Sequence, residues 1–494
     1  MIAKGVAMGI LSAVLWVPLL GVLAIVFMPK QAVAAIRGVA VLCAGISFAL
    51  SWNLFFSFDQ TSAGLQFVER LQWVPEMGMT YTLGVDGLSL PMVMLTTLLS
   101  LVAVVASFSI EERVKGYFAW FMLMEFAILG VFMAQDWFLF YMFYEITLIP
   151  MFFLIGIWGG KERGPASMSF FLYTLGGSVF MLLGIIAAYL ATPTHTFDMV
   201  EMMKASGGWE ADFQKIVFLG FFIGVAVKVP VFPLHGWLPL AHVEAPVPVS
   251  MMLSGILLKM GAYGLMRITG LFPAGIEWFV PVLLAMGLIN IVYGSLMAWK
   301  QTDLKAMVAF SSVSHMGFVL LGIAGLTVTG FVGATMQMFT HGFITAALFF
   351  MVGAIYERTH TREVTDFGGL GRRMPIFAAL MSLSLLASMG LPGLAGFISE
   401  FHALVGAFDR WKFWVILALV GVLITAAYSL RTIGKMFMGS FNAKWEDLKD
   451  LNAREILVMT PLVLLMVGLG LFPGVALNMM NATLTHMVAI IGIK

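Results

Sequence analysis

The chain has 494 residues, of which 61% are hydrophobic and 11% are charged, and its mean hydropathy is +0.99. Soluble domains carry about 25% charged residues, so this composition excludes a water-soluble globular protein and indicates a protein of the lipid bilayer. The formal net charge of +1 argues against a nucleic-acid-binding protein. The single cysteine, Cys43, excludes a disulfide within the chain and a cysteine-ligated cluster, and we interpret it as a packing residue.

Apolar runs of about 20 residues, the length that a helix needs to cross the hydrocarbon core, recur along the whole sequence. We predict fourteen membrane spans, near residues 8–28, 33–55, 84–108, 116–134, 136–157, 166–190, 212–243, 247–268, 275–299, 304–326, 330–356, 374–408, 412–438 and 456–476. The seventh and twelfth runs are too long for one straight span, and each is interrupted by proline and glycine. The sequence therefore predicts an all-α, polytopic membrane protein with two broken helices.

The basic residues are distributed unequally between the two sets of loops. Of the 27 lysines and arginines, seventeen lie in the odd-numbered loops and eight lie in the even-numbered loops and at the termini. Because loops rich in positive charge stay in the cytoplasm, we expect the odd loops and the connection 439–455 to be cytoplasmic, with both termini periplasmic. The two basic residues left over, Lys228 and Lys259, lie within spans.

The order of the spans predicts an internal repeat. Spans four to eight and spans nine to thirteen start on opposite sides of the membrane, and the fourth helix of each set is the broken one. Two such five-helix units are the layout of an inverted-repeat transporter. We therefore divide the chain into N-terminal helices (1–110), a first repeat (111–270), a second repeat (271–438) and a cytoplasmic connection with the last helix (439–494).

Two buried lysines are the strongest candidates for proton chemistry. A charge at mid-bilayer depth costs about 2.5–3.5 kcal/mol on insertion scales, so a lysine there must be paired, hydrated or neutral. Lys228 directly precedes the break in span seven, and Lys259 lies near the middle of span eight. A carboxylate partner favours the protonated amine and burial disfavours it, so a lysine whose partner comes and goes is a switchable proton carrier. The alternative is a static buried ion pair.

Glu145 in span five is the candidate partner of Lys228. It has no basic residue three or four positions away on its own helix, so a group on another helix must compensate it. We predict that Lys228 does so by forming an ion pair with Glu145. The alternative is a carboxyl group that hydrogen bonds hold neutral.

Glu400 lies just after the break in span twelve, where it occupies in the second repeat the role of Lys228 in the first. We interpret it as a proton donor to an exit path, and the alternative is an interfacial acid that pairs with a basic neighbour. His315 and His341 lie in the adjacent spans ten and eleven, among hydroxyl-bearing residues and glycine. Because imidazole passes a proton between its two nitrogens, these residues could bridge Lys259 and Glu400 with bound water. They could equally be structural histidines.

Three further residues are weaker candidates. His235 and His242 flank the end of span seven, and Glu125 is a second buried acid in span four. Glu125 either feeds the site or pairs with a neighbouring subunit, and the sequence leaves both open.

Three charged residues near span ends are interpreted as structural. Asp303 and Lys305 anchor a cytoplasmic helix end, and Asp86 caps the start of span three. No phosphate-binding glycine loop, metal-ligand cluster or Ser/His/Asp set is evident in the sequence. We therefore expect no redox cofactor in this chain, so a partner or an ion gradient must drive proton movement.

Several motifs resemble the signature of the antiporter-like subunits of respiratory complex I. They are VAVKVP at 225–230, PLHGWLPLAHVEAP at 233–246, SGILLKMGAYG at 254–264, KQTDLK at 300–305 and SSVSHMG at 311–317. The similarity covers nearly the whole chain in the same order and spacing. The family also contains membrane subunits of Mrp-type sodium/proton antiporters and membrane-bound hydrogenases. Other members usually carry lysine where this chain has Glu400, and glutamate there is typical of the M-type branch of complex I.

The resemblance implies a proton-translocating subunit of NADH:quinone oxidoreductase in the bacterial inner membrane. It implies a role for each candidate residue: a switching ion pair of Glu145 and Lys228, a central proton carrier Lys259, a terminal donor Glu400, and His315 and His341 on a hydrated central axis.

The resemblance also implies the partners of the chain. They are an N-type and an L-type antiporter-like subunit on either side, with NADH, FMN, iron–sulfur clusters and quinone bound elsewhere in the complex. Two alternatives stay open: a subunit of an Mrp-type cation/proton antiporter, and a structural subunit whose buried charges only hold helices together. A small-solute transporter is disfavoured because the sequence contains no substrate-sized polar cluster.

Overall fold

The computed structural model describes residues 9–492, which form an almost entirely helical bundle. The N-terminal part contains α1 (Ile10–Phe27), α2 (Val33–Ser57), β1 (Gln66–Val74), β2 (Met79–Val85) and α3 (Ser89–Ala106). The next part contains α4 (Val114–Met133), α5 (Trp137–Ile146), α6 (Leu148–Trp158), α7 (Arg163–Ala191), α8 (Met199–Ser206), α9 (Ala211–Lys228), α10 (Trp237–Glu244), α11 (Val247–Met252) and α12 (Leu258–Leu271). The last part contains α13 (Pro273–Lys300), α14 (Leu304–Ala324), α15 (Val328–Thr359), α16 (Pro375–Ser388), α17 (Ala395–Phe437), α18 (Ala453–Leu471) and α19 (Gly474–Ile491).

The predicted all-α, polytopic fold class is confirmed. Among the described residues, 13 helices are long and apolar enough to cross a membrane, and α5 and α6 together form one of them. Each of the fourteen spans expected from the sequence has a helical counterpart. The numbers differ because α9 carries three charged residues, α17 contains both spans twelve and thirteen, and α19 is an additional helix. A kink at Trp411 (φ −130°, ψ 42°) separates the two spans within α17.

Both breaks that proline and glycine predict are present. Helix α9 ends at Lys228 and α10 begins at Trp237, while α16 ends at Ser388 and α17 begins at Ala395. A third irregularity was not predicted: α11 and α12 are joined by a π-helical turn, Leu253–Leu257. Such turns are rare and occur frequently at functional sites.

Helix α19 lies across the end of the bundle. The backbone N–H of Gly87, at the start of α3, donates to Thr483 Oγ1 at 2.9 Å, and Gly270, at the end of α12, approaches Ile490. Asp86 and Arg267 form an ion pair, so the start of α3 and the end of α12 lie on the same side of the bundle. Because α19 contacts both, it runs along that side and does not cross the apolar layer. The predicted span 456–476 covered α18 and only the first residues of α19.

A β-hairpin between α2 and α3 was also missed from the sequence. Strands β1 and β2 pair antiparallel, and Glu69 in β1 accepts hydrogen bonds from the backbone N–H groups of Leu11 and Ser12 at the start of α1. An acid at a helix N-terminus is stabilised by the unpaired N–H groups and by the helix dipole. The hairpin therefore fixes the start of the first span.

A buried ion pair at the end of the connection 439–452 helps to hold it to the bundle. Arg358, near the end of α15, donates from both terminal nitrogens to Glu455 at 2.7 and 2.6 Å, and the Glu455 side chain is only 3% exposed. Glu455 also forms a capping box with Asn452 at the start of α18. One carboxylate thus joins the end of α15 to the start of α18.

We expect Arg358→Met to lower the stability of the protein, because it leaves the buried Glu455 carboxylate without its cation. Losing one partner of a buried pair costs about 3 kcal/mol or more. The midpoint of thermal unfolding in detergent measures this loss. The control is Lys215→Ala, which removes an exposed ion pair with Asp212 and leaves the midpoint unchanged. Equal midpoints for the two variants would show that the Arg358–Glu455 pair does not anchor the connection.

Candidate functional site

Lys228 lies at the last residue of α9 and is 1% exposed. Its Nζ donates to the backbone carbonyl of Tyr144 at 3.2 Å and to Thr147 Oγ1 at 2.9 Å. The same nitrogen stands 3.5 Å from the centroid of the Tyr144 ring. A carbonyl, a hydroxyl and an aromatic face therefore stabilise the ammonium group, and the π-electron contribution is largest where water is excluded.

Glu145 does not form the predicted ion pair with Lys228. The two side chains make no contact within 4.0 Å, and one buried carboxylate oxygen of Glu145, Oε1, has no hydrogen-bond partner among the described residues. The geometry of an α-helix gives the physical reason. Tyr144 and Thr147 are three positions apart and share the face toward Lys228, whereas Glu145 is rotated from Tyr144 by about 100°. The ion pair expected from the sequence is wrong for the arrangement seen here, although Glu145 lies next to both contacts of Lys228.

Lys259 lies just after the π-helical turn and is fully buried. Its Nζ donates to the backbone carbonyl of Ser254, five residues earlier, and contacts His341 Nδ1 at 2.6 Å. The wide π turn shifts the Ser254 carbonyl out of the regular i to i−4 ladder, which makes it available to the lysine. Irregular backbone in α11–α12 thus provides one of the two ligands of this amine.

His341, His315 and Glu400 continue the row from Lys259. The rings of His341 and His315 are 5.3 Å apart between centroids. His315 Nδ1 lies 3.0 Å from Glu400 Oε1, and His315 Nε2 lies 3.0 Å from Ser388 Oγ. Both histidines are 3% exposed and Glu400 is 6% exposed. The structure therefore brings together four of the six predicted site residues in one buried row.

The break between α16 and α17 surrounds the Glu400 carboxylate. Gly390 within the break has φ +76°, a conformation that favours glycine, and a Cβ atom there would lie 2.9 Å from Glu400 Oε2. Ser388 is the last residue of α16 and contacts His315. The residues on the two sides of the break, Ser388 and Glu400, thus contact the two nitrogens of the same imidazole, that of His315.

A small cavity of about 10 Å³ lies among the second-half residues. This volume holds about one water molecule. Its polar lining consists of His315, Gln337, Thr340, His341, Ser388 and Glu400. His341 Nε2 is buried and has no partner among the described residues. A polar space of the size of one water molecule therefore lies beside the two imidazoles and the terminal acid of the row.

His242 and His235 lie near α10, the second part of the first broken helix. His242 is fully buried, its ring stacks on Phe349 at 4.6 Å, and neither ring nitrogen has a partner among the described residues. His235 Nε2 lies 3.3 Å from Tyr293 Oη. Neither histidine contacts Lys228 or Lys259, so a direct row through the first half is not present.

The anchoring residues have the structural contacts that the sequence suggested. Lys305 donates to the carbonyls of Val243 and Ala245, at the C-terminal end of α10, at 3.2 and 2.5 Å. Asp303 caps the start of α14 and pairs with Arg362 at 2.9 Å. A cation at a helix C-terminus is favoured by the carbonyl groups exposed there.

Two of the buried acids that the sequence suggested lie outside the row. Asp86 accepts from the backbone N–H groups of Leu88 and Ser89 as a cap and also binds Arg267 at 2.6 and 2.9 Å. Glu125 is fully buried in α4, and neither of its oxygens has a partner among the described residues. The structure does not connect Glu125 to the other candidate residues.

Sequence reasoning missed the uncharged groups of the site. Tyr144, Thr147 and Ser388 contact the ionisable residues directly, and Gln337 and Ser399 lie beside them. A polar side chain on the buried face of a membrane helix, next to an ionisable residue, is the signal that could have found them.

Comparison with known proteins identifies the family. A family profile described as "NADH:quinone oxidoreductase/Mrp antiporter, TM" matches residues 134–425, a range that contains all six predicted site residues. The chain is 41% identical over 465 residues to NADH-quinone oxidoreductase subunit M of Rhodobacter capsulatus, covering 92% of this chain and 90% of that protein. It is 38% identical over 486 residues to subunit M of Rickettsia conorii, covering 97% and 98% of the two chains.

A solved structure agrees with the sequence relatives. A chain of respiratory complex I from Thermus thermophilus with bound NADH superposes with a TM-score of 0.88 at 31% sequence identity, over 97% of this chain and 99% of that one. The resemblance seen in the sequence motifs is therefore confirmed. The chain belongs to the NADH:quinone oxidoreductase/Mrp antiporter family of transmembrane subunits, on the branch whose named members are subunit M of the oxidoreductase.

Proposed function

We propose that the chain moves protons across a bacterial inner membrane as a subunit of an NADH:quinone oxidoreductase, driven by quinone reduction elsewhere in the complex. The observation that supports this proposal is the buried row from Lys259 through His341 and His315 to Glu400. Each member can bind and release a proton, and neighbouring members are in contact or separated by a space of the size of one water molecule.

In this proposal the transfer steps follow the order of the contacts. A proton on Lys259 Nζ passes to His341 Nδ1 across 2.6 Å, and the ring then releases the proton that its free Nε2 carries. Water in the small cavity, or the hydroxyl of Ser388, delivers a proton to His315 Nε2. His315 finally gives up its Nδ1 proton to Glu400 Oε1 across 3.0 Å. Each imidazole therefore accepts at one nitrogen and donates from the other.

The Lys228 site supplies the coupling step in this proposal. Neutral groups hold its ammonium in the arrangement seen here, and Glu145 lies beside them without touching it. A rotation of α5 that brings the Glu145 carboxylate to Lys228 stabilises the charge, and its reversal drives the proton onward to Lys259. Moving one charge against the membrane potential costs about 2.3 kcal/mol per 100 mV. Forming or breaking a partly buried ion pair near 4 Å is worth about 4 kcal/mol, which is enough for this purpose.

The partners and the orientation follow from the same proposal. An N-type and an L-type antiporter-like subunit flank the chain, both termini face the periplasm, and the NADH, flavin, iron–sulfur and quinone sites lie in other subunits. The division into residues 1–110, 111–270, 271–438 and 439–494 belongs to this proposal, with one proton-handling half on each side of α12–α13. Co-purification of this chain with two paralogous membrane subunits supports it, whereas co-purification with an Mrp-type assembly favours the cation/proton antiporter.

We expect Lys259→Ala to reduce coupled proton pumping by about 10²-fold or more in the assembled complex, because it removes the first member of the row. Proton release per NADH oxidised by inverted membrane vesicles measures this loss. Lys435→Ala, which removes a lysine outside the row at the end of α17, is the control and pumps normally. Unchanged proton yield in Lys259→Ala would refute the proposed path.

Glu400→Gln separates proton transfer from a purely structural role. Glutamine keeps the shape of the side chain and an oxygen that His315 can bind, so the complex assembles on a native gel. Because the amide does not take up the proton, we expect pumping to fall by about 10²-fold. Glu277→Gln, at an exposed acid of α13, is the matched control. Loss of assembly, rather than of pumping, would support the structural alternative.

The two positive-φ glycines of the second break give a matched pair of variants. Alanine at either position strains the backbone by about 1–2 kcal/mol. Only Gly390→Ala places a Cβ 2.9 Å from Glu400 Oε2, whereas a Cβ at Gly393 meets nothing within 4 Å. We therefore expect Gly390→Ala to slow proton pumping and Gly393→Ala to leave it near normal at equal assembly. Equal pumping rates would mean that the carboxylate position seen here is not needed.

A further inference from the structure

Three uncharged polar residues form a hydrogen-bond chain that ends on the imidazole of His315. Thr340 Oγ1 lies 2.9 Å from Ser399 Oγ, Ser399 Oγ donates to Gln337 Oε1 at 2.5 Å, and Gln337 Nε2 lies 3.5 Å from His315 Nδ1. Thr340 and Ser399 are fully buried, and Gln337 is 2% exposed. These residues lie beside the proton row, yet none of them can carry a charge at neutral pH.

In the arrangement seen here, the hydrogen bonds of this chain run from Thr340 through Ser399 to Gln337. Ser399 has one hydroxyl proton, which faces both Gln337 Oε1 and the carbonyl of Gly396, 2.9 Å away. Thr340 must then be the donor to Ser399, since the Ser399 proton is already committed. With its oxygen held by Ser399, the Gln337 amide turns its NH₂ group toward His315. In this arrangement the chain presents a donor, the Gln337 Nε2 amide group, to His315 Nδ1.

A donor at this position distinguishes between the two protonation states of the His315–Glu400 contact. When Nδ1 carries a proton, it donates to the Glu400 carboxylate, and the Gln337 N–H meets another N–H. When the proton has moved to Glu400, the single Nδ1 lone pair accepts from the Glu400 hydroxyl, and the Gln337 N–H points at the same lone pair as a second, weaker donor. The amide thus adds a favourable contact only after the proton has reached Glu400.

We infer that Gln337, oriented by Ser399 and Thr340, is a positioning residue that biases the proton of the His315–Glu400 pair toward Glu400 and so opposes its return. This inference rests on the proposed function, because it concerns the last transfer step of the same row. The bond that breaks is His315 Nδ1–H, the bond that forms is Glu400 Oε–H, and the amide proton of Gln337 stays on its nitrogen throughout.

The expected shift of the proton toward Glu400 has the size that one hydrogen bond provides. One hydrogen bond between neutral groups changes an equilibrium by about two- to tenfold. Glu400 should therefore be protonated about two- to tenfold more often with Gln337 present than without it. This is a change that spectroscopy resolves and that leaves the row itself intact.

The test compares Gln337→Met with the wild type in the assembled complex in membranes. Methionine has a similar shape but no amide, and Ser399 keeps its second contact, the carbonyl of Gly396 at 2.9 Å. The infrared carbonyl band of protonated Glu400, assigned by its disappearance in Glu400→Gln, should fall by about two- to tenfold. Proton yield per NADH should fall with it, because protons return from Glu400 to the row. An unchanged band and an unchanged yield would overturn the inference.

Two hydroxyl variants keep the test decisive if Gln337→Met does not assemble. Ser399→Ala frees the amide to turn its oxygen toward His315, and Thr340→Val weakens the chain at its far end, so both should lower the same band. Thr335→Val is the control, since this buried hydroxyl of α15 binds only the carbonyl of Phe331 and the sulfur of Met266. If Ser399→Ala and Thr335→Val give the same band as the wild type, Gln337 does not set the bias.

The same measurements separate a failure of the inference from a failure of the proposed function. If Glu400→Gln pumps as the wild type does, the row is not the proton path, and the inference falls with it. If Glu400→Gln loses pumping while the Gln337 variants behave as the wild type, the path stands and only the role of Gln337 is refuted.

Discussion

Every feature of the site depends on one constraint: a titratable group inside an apolar bundle needs a polar partner, and a regular helix has no backbone groups to spare. Three backbone irregularities in the two halves each lie beside one ionisable residue of the site. The first break follows Lys228, the π turn precedes Lys259, and the second break encloses Glu400. Irregular backbone is costly in the membrane, so its coincidence with these three groups indicates that the fold is shaped around them.

The two halves of the protein provide different kinds of polar partner for their buried ionisable groups. Lys228 is held by a carbonyl, a hydroxyl and an aromatic ring, which are all neutral and leave its proton available. Glu400 is held by an imidazole, a group that can itself give or take a proton. In the proposed function, the first half stores a proton on a base and the second half receives one on an acid.

Most of the fold, and the identity of the charged residues, could be predicted because both are local properties of the sequence. Hydropathy locates the spans, proline and glycine locate the breaks, and the absence of Lys228 and Lys259 from any loop marks them as buried. The hairpin 66–85 escaped because its strands, nine and seven residues long, are too short to appear as membrane spans. Helix α19 escaped because two asparagines, two threonines and a histidine interrupt its apolar sequence. The π turn has no sequence signal of its own.

Pairing between helices was the least predictable part, because it depends on the rotation of each helix about its axis. Glu145 illustrates this. It was the predicted partner of Lys228, but the contacts of Lys228 are made by its neighbour Tyr144 and by Thr147. An angle of about 100° between neighbouring side chains separates an ion pair from no contact. The same sensitivity makes the position useful for coupling. In the proposed coupling step, a rotation of α5 would exchange the neutral ligands of Lys228 for the Glu145 carboxylate without moving the lysine.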